Sequence, residues 1–227
     1  MQAIDIQTVK RRCIVYIDGY NWYHAVFKHR PELKWINVQS LFETIRIDDE
    51  VVAVKMFSAM INSKQDPSAT ERQERYFNAL RTLPKVKVIL GKFQPREVTC
   101  RAQCKGKYIV DEEKKTDVNM AVEIMSDVIY RNADLVCLVS GDSDIQPAIE
   151  WVSQYNPALK IVIYIPALPS EQSTRRLDYR VRNVKFDCRF LPLADLKNHQ
   201  LPPVVKMPDG KLCVRPHLWV SQGTTVF

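Results

Sequence analysis

The fold of this protein is indicated by residues 13–21, which read CIVYIDGYN. The unbroken apolar and aromatic run at its start predicts a strand buried on both faces, as in a parallel sheet covered by helices. The run ends at Asp18 and Gly19, after which the pattern becomes helical. Because ligands of an open parallel sheet bind beyond the carboxyl ends of its strands, Asp18 stands where a functional residue is expected.

Strands and helices alternate along the chain. Predicted strands cover residues 13–17, 51–59, 86–93, 135–140, 160–165 and 184–190, and predicted helices cover residues 21–29, 38–45, 67–83, a stretch that begins at a Thr116 cap, 144–155 and 170–179. A long basic loop is expected before the Thr116 helix, in which Val118, Ala121, Val122, Met125 and Ile129 share one face. The alternation predicts an α/β fold with a mostly parallel sheet.

The pattern also divides the chain into three segments. Residues 1–11 form an N-terminal extension, residues 12–196 contain the strand and helix alternation, and residues 197–227 form an extended C-terminal tail with proline turns. The tail is too apolar to be left in solvent. We therefore expect it to pack on the body of the protein or on a partner, such as another protein or a second copy of the chain.

The composition excludes several classes of protein. The 227 residues carry a net charge of +7, with 26% charged residues, which is a globular composition with a basic excess. No apolar run approaches the roughly 18 residues of a membrane span, and no secretory signal is visible, so we expect a cytoplasmic protein without a membrane partner. The basic excess favours an acidic partner such as nucleic acid.

The cysteines do not indicate a disulfide framework, because six of them are too dilute in a chain of this length. Cys100 and Cys104 form a C-x3-C pair, but no second pair lies nearby at zinc-ligand spacing. Free thiols in a loop are therefore favoured over a structural zinc site, and the zinc alternative stays open.

Four aspartates are expected at one edge of the predicted sheet. Asp18 ends the first strand, Asp142 and Asp144 follow the fourth, and Asp117 opens the helix after the basic loop. Carboxylates a few ångströms apart repel one another unless a cation lies among them. Mg²⁺ and Mn²⁺ take oxygen ligands and can activate a bound water for attack on a phosphodiester. The sequence therefore predicts a Mg²⁺ or Mn²⁺ site, with Asn21 one helical turn after Asp18.

Three of the four aspartates also have a purely structural interpretation as helix caps. Asp18, Asp117 and Asp144 each precede or open a predicted helix, where aspartate is a favoured cap. Asp142 is the most informative of the four, because it follows an apolar strand through a glycine and is not needed as a cap if Asp144 serves.

Three motifs resemble those of NYN domains, a branch of the PIN-like nuclease superfamily. They are YIDGYN at residues 16–21, KTDVNMA at residues 115–121 and LVSGDSDI at residues 138–145, in the order that the family has them. The resemblance implies a PIN-like Rossmannoid three-layer α/β/α sandwich for residues 12–196. It also implies Mg²⁺- or Mn²⁺-dependent endonucleolytic cleavage, usually of RNA.

The same resemblance implies a role for each polar residue of the motifs. Asp18, Asp117 and Asp142 are the expected metal ligands. Asp144 is an additional acid of the catalytic site, and Asn21 is a polar member of the first motif.

The positive charge is concentrated in two stretches. Residues 85–107 contain seven Lys and Arg against one Glu, and residues 175–189 contain six against two Asp. Such clusters beside an acidic metal site suit a polyanionic substrate, and Phe93, Tyr108 and Tyr179 lie among them as candidates for base stacking. The candidate nucleic-acid-binding residues are Lys92, Arg96, Arg101, Lys105, Lys107, Lys115, Arg175 and Arg176.

Two other functions are compatible with the fold. A haloacid-dehalogenase-like phosphatase needs a second aspartate two residues after the first, where this chain has Tyr20. A non-catalytic RNA-binding or regulatory module would keep the fold without cutting. The sequence does not distinguish this module from a nuclease.

Overall fold

Parallel strands form a central sheet in this computed structural model, which describes residues 9–61, 66–100, 106–172, 180–181 and 184–220. The strands in chain order are β1 (Arg12–Asp18), β2 (Glu50–Ser58), β3 (Val86–Leu90), β4 (Lys92–Thr99), β5 (Lys107–Lys114), β6 (Leu135–Val139), β7 (Lys160–Ile165), β8 (Arg180–Val181), β9 (Val184–Lys185), β10 (Asp187–Phe190), β11 (Val204–Lys206) and β12 (Leu212–Val214). The central sheet has the order β10-β7-β6-β1-β2-β3. All of its pairings are parallel, which confirms the predicted α/β fold.

The helices lie between these strands in the sequence. They are α1 (Gly19–Trp22), α2 (Val38–Ile45), α3 (Pro67–Leu80), α4 (Thr116–Ile129), α5 (Gln146–Tyr155) and α6 (Leu193–Asn198), with a π-helical turn at Tyr23–Phe27 and 3₁₀ turns at Pro31–Leu33 and His217–Trp219. Within the described ranges, no helix combines the length and the apolar character that crossing a membrane requires.

Side chains of β1 alternate between the two faces of the sheet. Cys13, Val15 and Ile17 join the core that α1, α2 and α3 cover, whereas Ile14 and Tyr16 join the core beneath α4 and α5. All five are buried. The sheet thus lies between two helical layers, and β1 is apolar throughout because both of its faces are covered.

The strand order places a crevice at the end of β1. From this strand the chain continues to β2 on one side, and it later returns to β6 on the other. Ligands of open α/β sheets bind where the order reverses in this way. The carboxyl ends of β1 and β6 are therefore the expected place for a functional site.

Some helices differ from the predicted boundaries. The second predicted helix agrees with α2, and α3 ends at Leu80 rather than at residue 83. The first predicted helix begins two residues earlier, at Gly19, and becomes π-helical after one turn. A Cβ at Gly19 would lie 2.6 Å from the carbonyl oxygen of Phe57, so only glycine permits this close approach of α1 to β2. Most of the predicted 170–179 helix lies outside the described residues.

The expected basic loop after β3 is instead an antiparallel hairpin of β4 and β5. The prediction was wrong because Pro95 and the many charges of this stretch weaken its strand signal, while local hairpin pairing supplies the backbone hydrogen bonds. A Cβ at Gly91 would meet Thr116 Oγ1 at 2.5 Å and the carbonyl oxygen of Lys114 at 2.6 Å. The base of the hairpin is thereby held against the start of α4.

Helix α4 differs from its prediction in its cap and in its buried face. Lys115, with φ of 75°, occupies the cap position, and the Thr116 hydroxyl donates a hydrogen bond to Glu113 rather than capping the helix. Of the predicted apolar stripe, Val118, Val122 and Ile129 are exposed. A second apolar stripe of the helix, made up of Met120, Ile124 and Val128, faces the sheet instead.

Residues 199–220 pack on the face of the sheet that α3 covers. The β11–β12 hairpin contributes Val205 and Cys213 to that core. Helix α6 spans residue 196, which is the predicted end of the α/β segment. The Trp219 ring lies 6.2 Å from that of Trp35 and 6.1 Å from that of Tyr76. The indole nitrogen of Trp35 also donates to the carbonyl oxygen of Pro202 at 2.8 Å.

Replacing Trp219 by alanine is expected to lower the free energy of unfolding by about 3–5 kcal/mol, because it removes a buried aromatic side chain from this contact. Urea denaturation measures the change. The matched control is Leu218→Ala, since Leu218 is 54% exposed. Equal effects of the two substitutions would contradict the described packing.

Candidate active site

The Asp18 carboxylate joins the ends of β1 and β6. Its Oδ1 accepts a hydrogen bond from the backbone N–H of Asn21 at 2.9 Å, and its Oδ2 accepts from the Ser140 hydroxyl at 2.8 Å. Asp18 is therefore the N-cap of α1 as well as a residue of the candidate site, so the two interpretations from the sequence are compatible.

The loop after β6 is fixed by further hydrogen bonds. The Asn21 side-chain oxygen accepts from the backbone N–H of Gly141 at 2.9 Å, and Ser140 Oγ accepts from that of Asp142 at 3.0 Å. Asp142 Oδ1 accepts from the backbone N–H of Asp144 at 3.0 Å. Asp144 does not cap α5, because Ile145 occupies the cap position and has no side-chain hydrogen bond there.

Burial and neighbouring negative charges raise the pKa values of Asp18 and Asp117. Burial raises the pKa of Asp18, hydrogen bonds from Asn21 and Ser140 oppose this, and the charges of Asp117 and Asp142 raise it further. The pKa of Asp117 is raised by burial and by the charges of Asp142 and Asp144. Because Asp117 is exposed at the surface, the neighbouring charges are the more important cause. The structure thus brings all four predicted acids together.

Glu113, at the end of β5, is a fifth acid that the sequence interpretation missed. Burial raises the pKa of its carboxyl, the hydrogen bond from Thr116 lowers it, and the charges of Asp18 and Asp117 raise it again. The hairpin brings Glu113 to the site, so a stretch interpreted as a loop gave no reason to include it. The sequence feature that could have indicated Glu113 as a site residue is its position four residues before Asp117.

The cluster has the ligand chemistry of a site for a hard divalent cation. It offers carboxylate oxygens, which Mg²⁺ and Mn²⁺ prefer, and among the described ion pairs none involves these five acids. Within the described ranges, however, no three His, Cys, Asp or Glu side chains are arranged closely enough to hold a metal ion. The arrangement is an acidic cluster whose donors suit the ion, not a formed coordination sphere.

The comparison with known families agrees with this fold. Residues 12–181 match the family described as NYN domain, which is most of the chain and includes all three motifs. The chain belongs to the NYN domain family. The central parallel sheet with its two helical layers is the corresponding PIN-like fold.

Two individual proteins resemble this NYN protein. The 6-hydroxy-3-succinoylpyridine 3-monooxygenase HspA of Pseudomonas putida (strain DSM 28022 / S16) is 26% identical over 258 residues, covering 97% of this chain and 78% of that protein. A crystal structure of a protein of unknown function from Vibrio parahaemolyticus RIMD 2210633 has a TM-score of 0.44 and 18% identity, covering 83% of this chain and 96% of that one.

The candidate nucleic-acid-binding residues fall into two groups. Lys92, Arg96 and Lys107 lie exposed on the hairpin, and Lys115 lies exposed at the start of α4, two residues before Asp117. Lys107 pairs with Glu97 at 2.8 Å. The remaining candidates lie outside the described residues; they are Arg101, Lys105, Arg175 and Arg176. Cys104 of the C-x3-C pair also lies outside them.

An aromatic stack connects the hairpin to α1. The ring of Tyr20 lies 4.4 Å from that of His24 and 6.4 Å from that of Phe93. Tyr20 is 45% exposed and follows Asp18 by two residues, so an exposed aromatic ring lies close to the acids in the sequence. The sequence interpretation named Phe93 but not Tyr20, because their contact depends on how the hairpin folds.

Replacing Glu113 by glutamine is expected to raise the thermal unfolding midpoint of the metal-free protein by about 2 °C at pH 7. A carboxyl whose folded pKa is raised stabilises the fold while it is protonated, and that contribution is lost as the pH rises through the folded pKa. The difference from wild type should therefore shrink towards pH 4, near the ordinary pKa of glutamate, which is about 4.3.

Differential scanning fluorimetry in EDTA measures this change. The matched control is Glu74→Gln, because Glu74 is an exposed residue of α3 away from the acids. A lower midpoint for Glu113→Gln than for wild type at pH 7 would contradict the proposed repulsion.

Proposed function

We propose that this protein is a metal-dependent endoribonuclease. Asp18, Asp117 and Asp142 hold Mg²⁺ or Mn²⁺, and Asp144 is a further acid of the catalytic site. The supporting observation is that β1, α4 and the loop after β6 bring carboxylates to one crevice of the sheet, where the charges of Asp117 and Asp142 raise the pKa of Asp18 and the charge of Asp142 raises that of Asp117. Such clustering of like charges is typical of functional sites.

The residues of the chain have separate tasks in this proposal. A bound cation supplies charge neutralisation and an activated water for phosphodiester hydrolysis. Ser140 and the backbone N–H of Asn21 orient the Asp18 carboxylate, and the Asn21 side chain fixes the loop that carries Asp142. These hydrogen bonds preorganise the Asp18 carboxylate and the loop after β6 before any ligand binds.

The surroundings of the acids suit a single-stranded substrate. Exposed cations on the hairpin and at Lys115 would contact phosphates, which supply most of the sequence-independent affinity for nucleic acid. The exposed rings of Tyr20 and His24 offer a face on which an unpaired base can stack.

A cytoplasmic location and a protein partner at the C-terminal segment stay predictions.

A second candidate function comes from the Pseudomonas relative, whose name describes a monooxygenase acting on a hydroxypyridine derivative. The similarity covers 97% of this chain and so extends beyond the NYN match at residue 181. Under this alternative the protein would act on a small heteroaromatic compound, and the acids would serve that reaction instead.

Replacing Asp142 by asparagine is expected to lower the rate of RNA cleavage by about 100-fold or more, because it removes a metal ligand. The assay uses labelled single-stranded and structured RNA with Mg²⁺, with Mn²⁺ and with EDTA. Asp195→Asn, on α6, is the matched control and should retain full activity. Circular dichroism checks that both variants fold.

The outcomes of these assays separate the candidate functions. Metal-dependent cleavage that Asp142→Asn loses supports the nuclease, and full activity of that variant would exclude the proposed site. RNA binding without cleavage by either protein favours the non-catalytic module, and phosphate release from a small monoester indicates a phosphatase. Consumption of 6-hydroxy-3-succinoylpyridine in aerated buffer with a supplied reductant favours the second candidate.

Replacing Tyr20 by alanine is expected to weaken binding of single-stranded RNA by about 1–3 kcal/mol, because it removes a stacking face. Fluorescence anisotropy in EDTA, where no cleavage occurs, measures the affinity. Tyr20→Phe should retain it, and Tyr130→Ala is the matched control, since Tyr130 is 74% exposed at the far end of α4. Unchanged affinity in Tyr20→Ala would remove this residue from the interface.

A further inference from the structure

A cavity opens beside the acidic cluster, on the α3 side of the sheet. Gly19, directly after Asp18, and Ser58, at the end of β2, line its floor, and its volume is about 140 Å³. None of the five acids of the cluster lines it. It is therefore a separate space that shares one wall with the candidate active site.

The cavity has the size and lining for one aromatic ring. Its walls include Tyr23, Tyr76, Phe77 and Trp219, so a planar ligand would meet aromatic faces and edges. An apolar cavity of about 150 Å³ accommodates a benzene molecule, which sets the scale for this one. The volume is sufficient for a single six-membered ring.

The charge of the lining is positive. Lys34 places its ammonium group 4.9 Å from the ring centre of Tyr23 and 5.8 Å from that of Trp219. Burial lowers the pKa of Lys34, and the charge of Arg72 lowers it further, with no acid contributing among the described residues. Arg72 pairs with Asp66 at 2.5 Å, but no described lining residue is itself acidic.

An anion at Lys34 would relieve this unfavourable arrangement. The Lys34 ammonium is partly buried near the charge of Arg72, and such an ammonium gains most from a charge-assisted hydrogen bond. The aromatic walls and Lys34 line the same space, so a ring and an anion can be bound there together. Ring and anion therefore belong to one ligand.

We infer that this cavity binds a single six-membered aromatic ring that carries an anionic group, with the ring among Tyr23, Phe77 and Trp219 and the anion at Lys34. Two sources have this chemistry: a free monocyclic aromatic acid, and a pyrimidine nucleotide. The inference does not depend on the proposed nuclease activity, because the acids of the cluster do not form the cavity.

Isothermal titration calorimetry with defined probes tests the inference. The probes are nicotinate, uridine 5′-monophosphate and nicotinamide, the last being the uncharged counterpart of nicotinate. We expect at least one of the two anions to bind with 1:1 stoichiometry, and nicotinamide to bind about tenfold more weakly than nicotinate if nicotinate is the ligand. Nicotinate binding alone indicates a free acid, and nucleotide binding alone indicates a pyrimidine nucleotide.

Variants then locate the binding. Lys34→Met should weaken binding about tenfold, whereas Lys28→Met, at an exposed lysine outside the cavity, should leave it unchanged. Ala69→Phe places a ring inside the cavity from the first turn of α3, and it should abolish binding even if Lys34→Met fails to fold. Asp142→Asn should bind as wild type does, which keeps this test independent of catalysis.

Two results would overturn the inference. One is the absence of measurable binding of both anions to the wild-type protein at millimolar concentration. The other is equal binding by wild type, Lys34→Met and Ala69→Phe, which would place the ligand elsewhere.

Discussion

The hydrogen bonds to the Asp18 carboxylate hold together the two strand ends on which the candidate site depends. One carboxylate oxygen caps α1, and the other accepts from Ser140 at the end of β6. Because these strands lie side by side at the reversal of strand order, this one residue sets both the direction of the first helix and the position of the β6 loop. Asn21 adds a second link to Gly141, so the crevice has a fixed shape.

A comparison with another buried carboxylate, that of Asp127 on α4, shows why the cluster suggests a cation. Asp127 accepts from Tyr16 at 2.6 Å and pairs with Lys55 at 2.5 Å, and Lys55 also pairs with Glu123 at 2.6 Å. Those acids are neutralised by a lysine of the chain itself. Among the described residues no Lys or Arg forms an ion pair with the five acids of the candidate site. Their negative charge therefore suits a cation supplied from solution.

Much of this arrangement could be predicted from the sequence, because it depends on local signals. Continuous apolar residues identified β1, and an aspartate directly after such a strand identified the site edge. The hairpin, Glu113 and the Tyr20 stack could not be predicted in this way. Each depends on a polar strand pair whose stability comes from pairing with its neighbour rather than from its own periodicity. The cavity depends on Trp219 packing near Lys34, residues that are distant in the sequence.

The two apolar stripes of α4 show a different limit of predicting structure from sequence. Periodicity alone shows that a helix is amphipathic, but both Val118–Val122 and Met120–Ile124 satisfy the helical spacing. In the structure Met120 and Ile124 face the sheet, whereas Val118 and Val122 are exposed. The sequence therefore identified the helix and its acid, Asp117, while the tertiary contacts determined which side chains are buried.

The central claim is that the acids of β1, α4 and the β6 loop together bind one divalent cation. Titration of Mn²⁺ into the metal-free protein, followed by electron paramagnetic resonance of the free ion, tests this most directly. We expect one saturable Mn²⁺ site, which Asp18→Asn and Asp117→Asn each weaken and from which Mg²⁺ displaces Mn²⁺. Equal Mn²⁺ binding by the wild-type protein and both variants would contradict it.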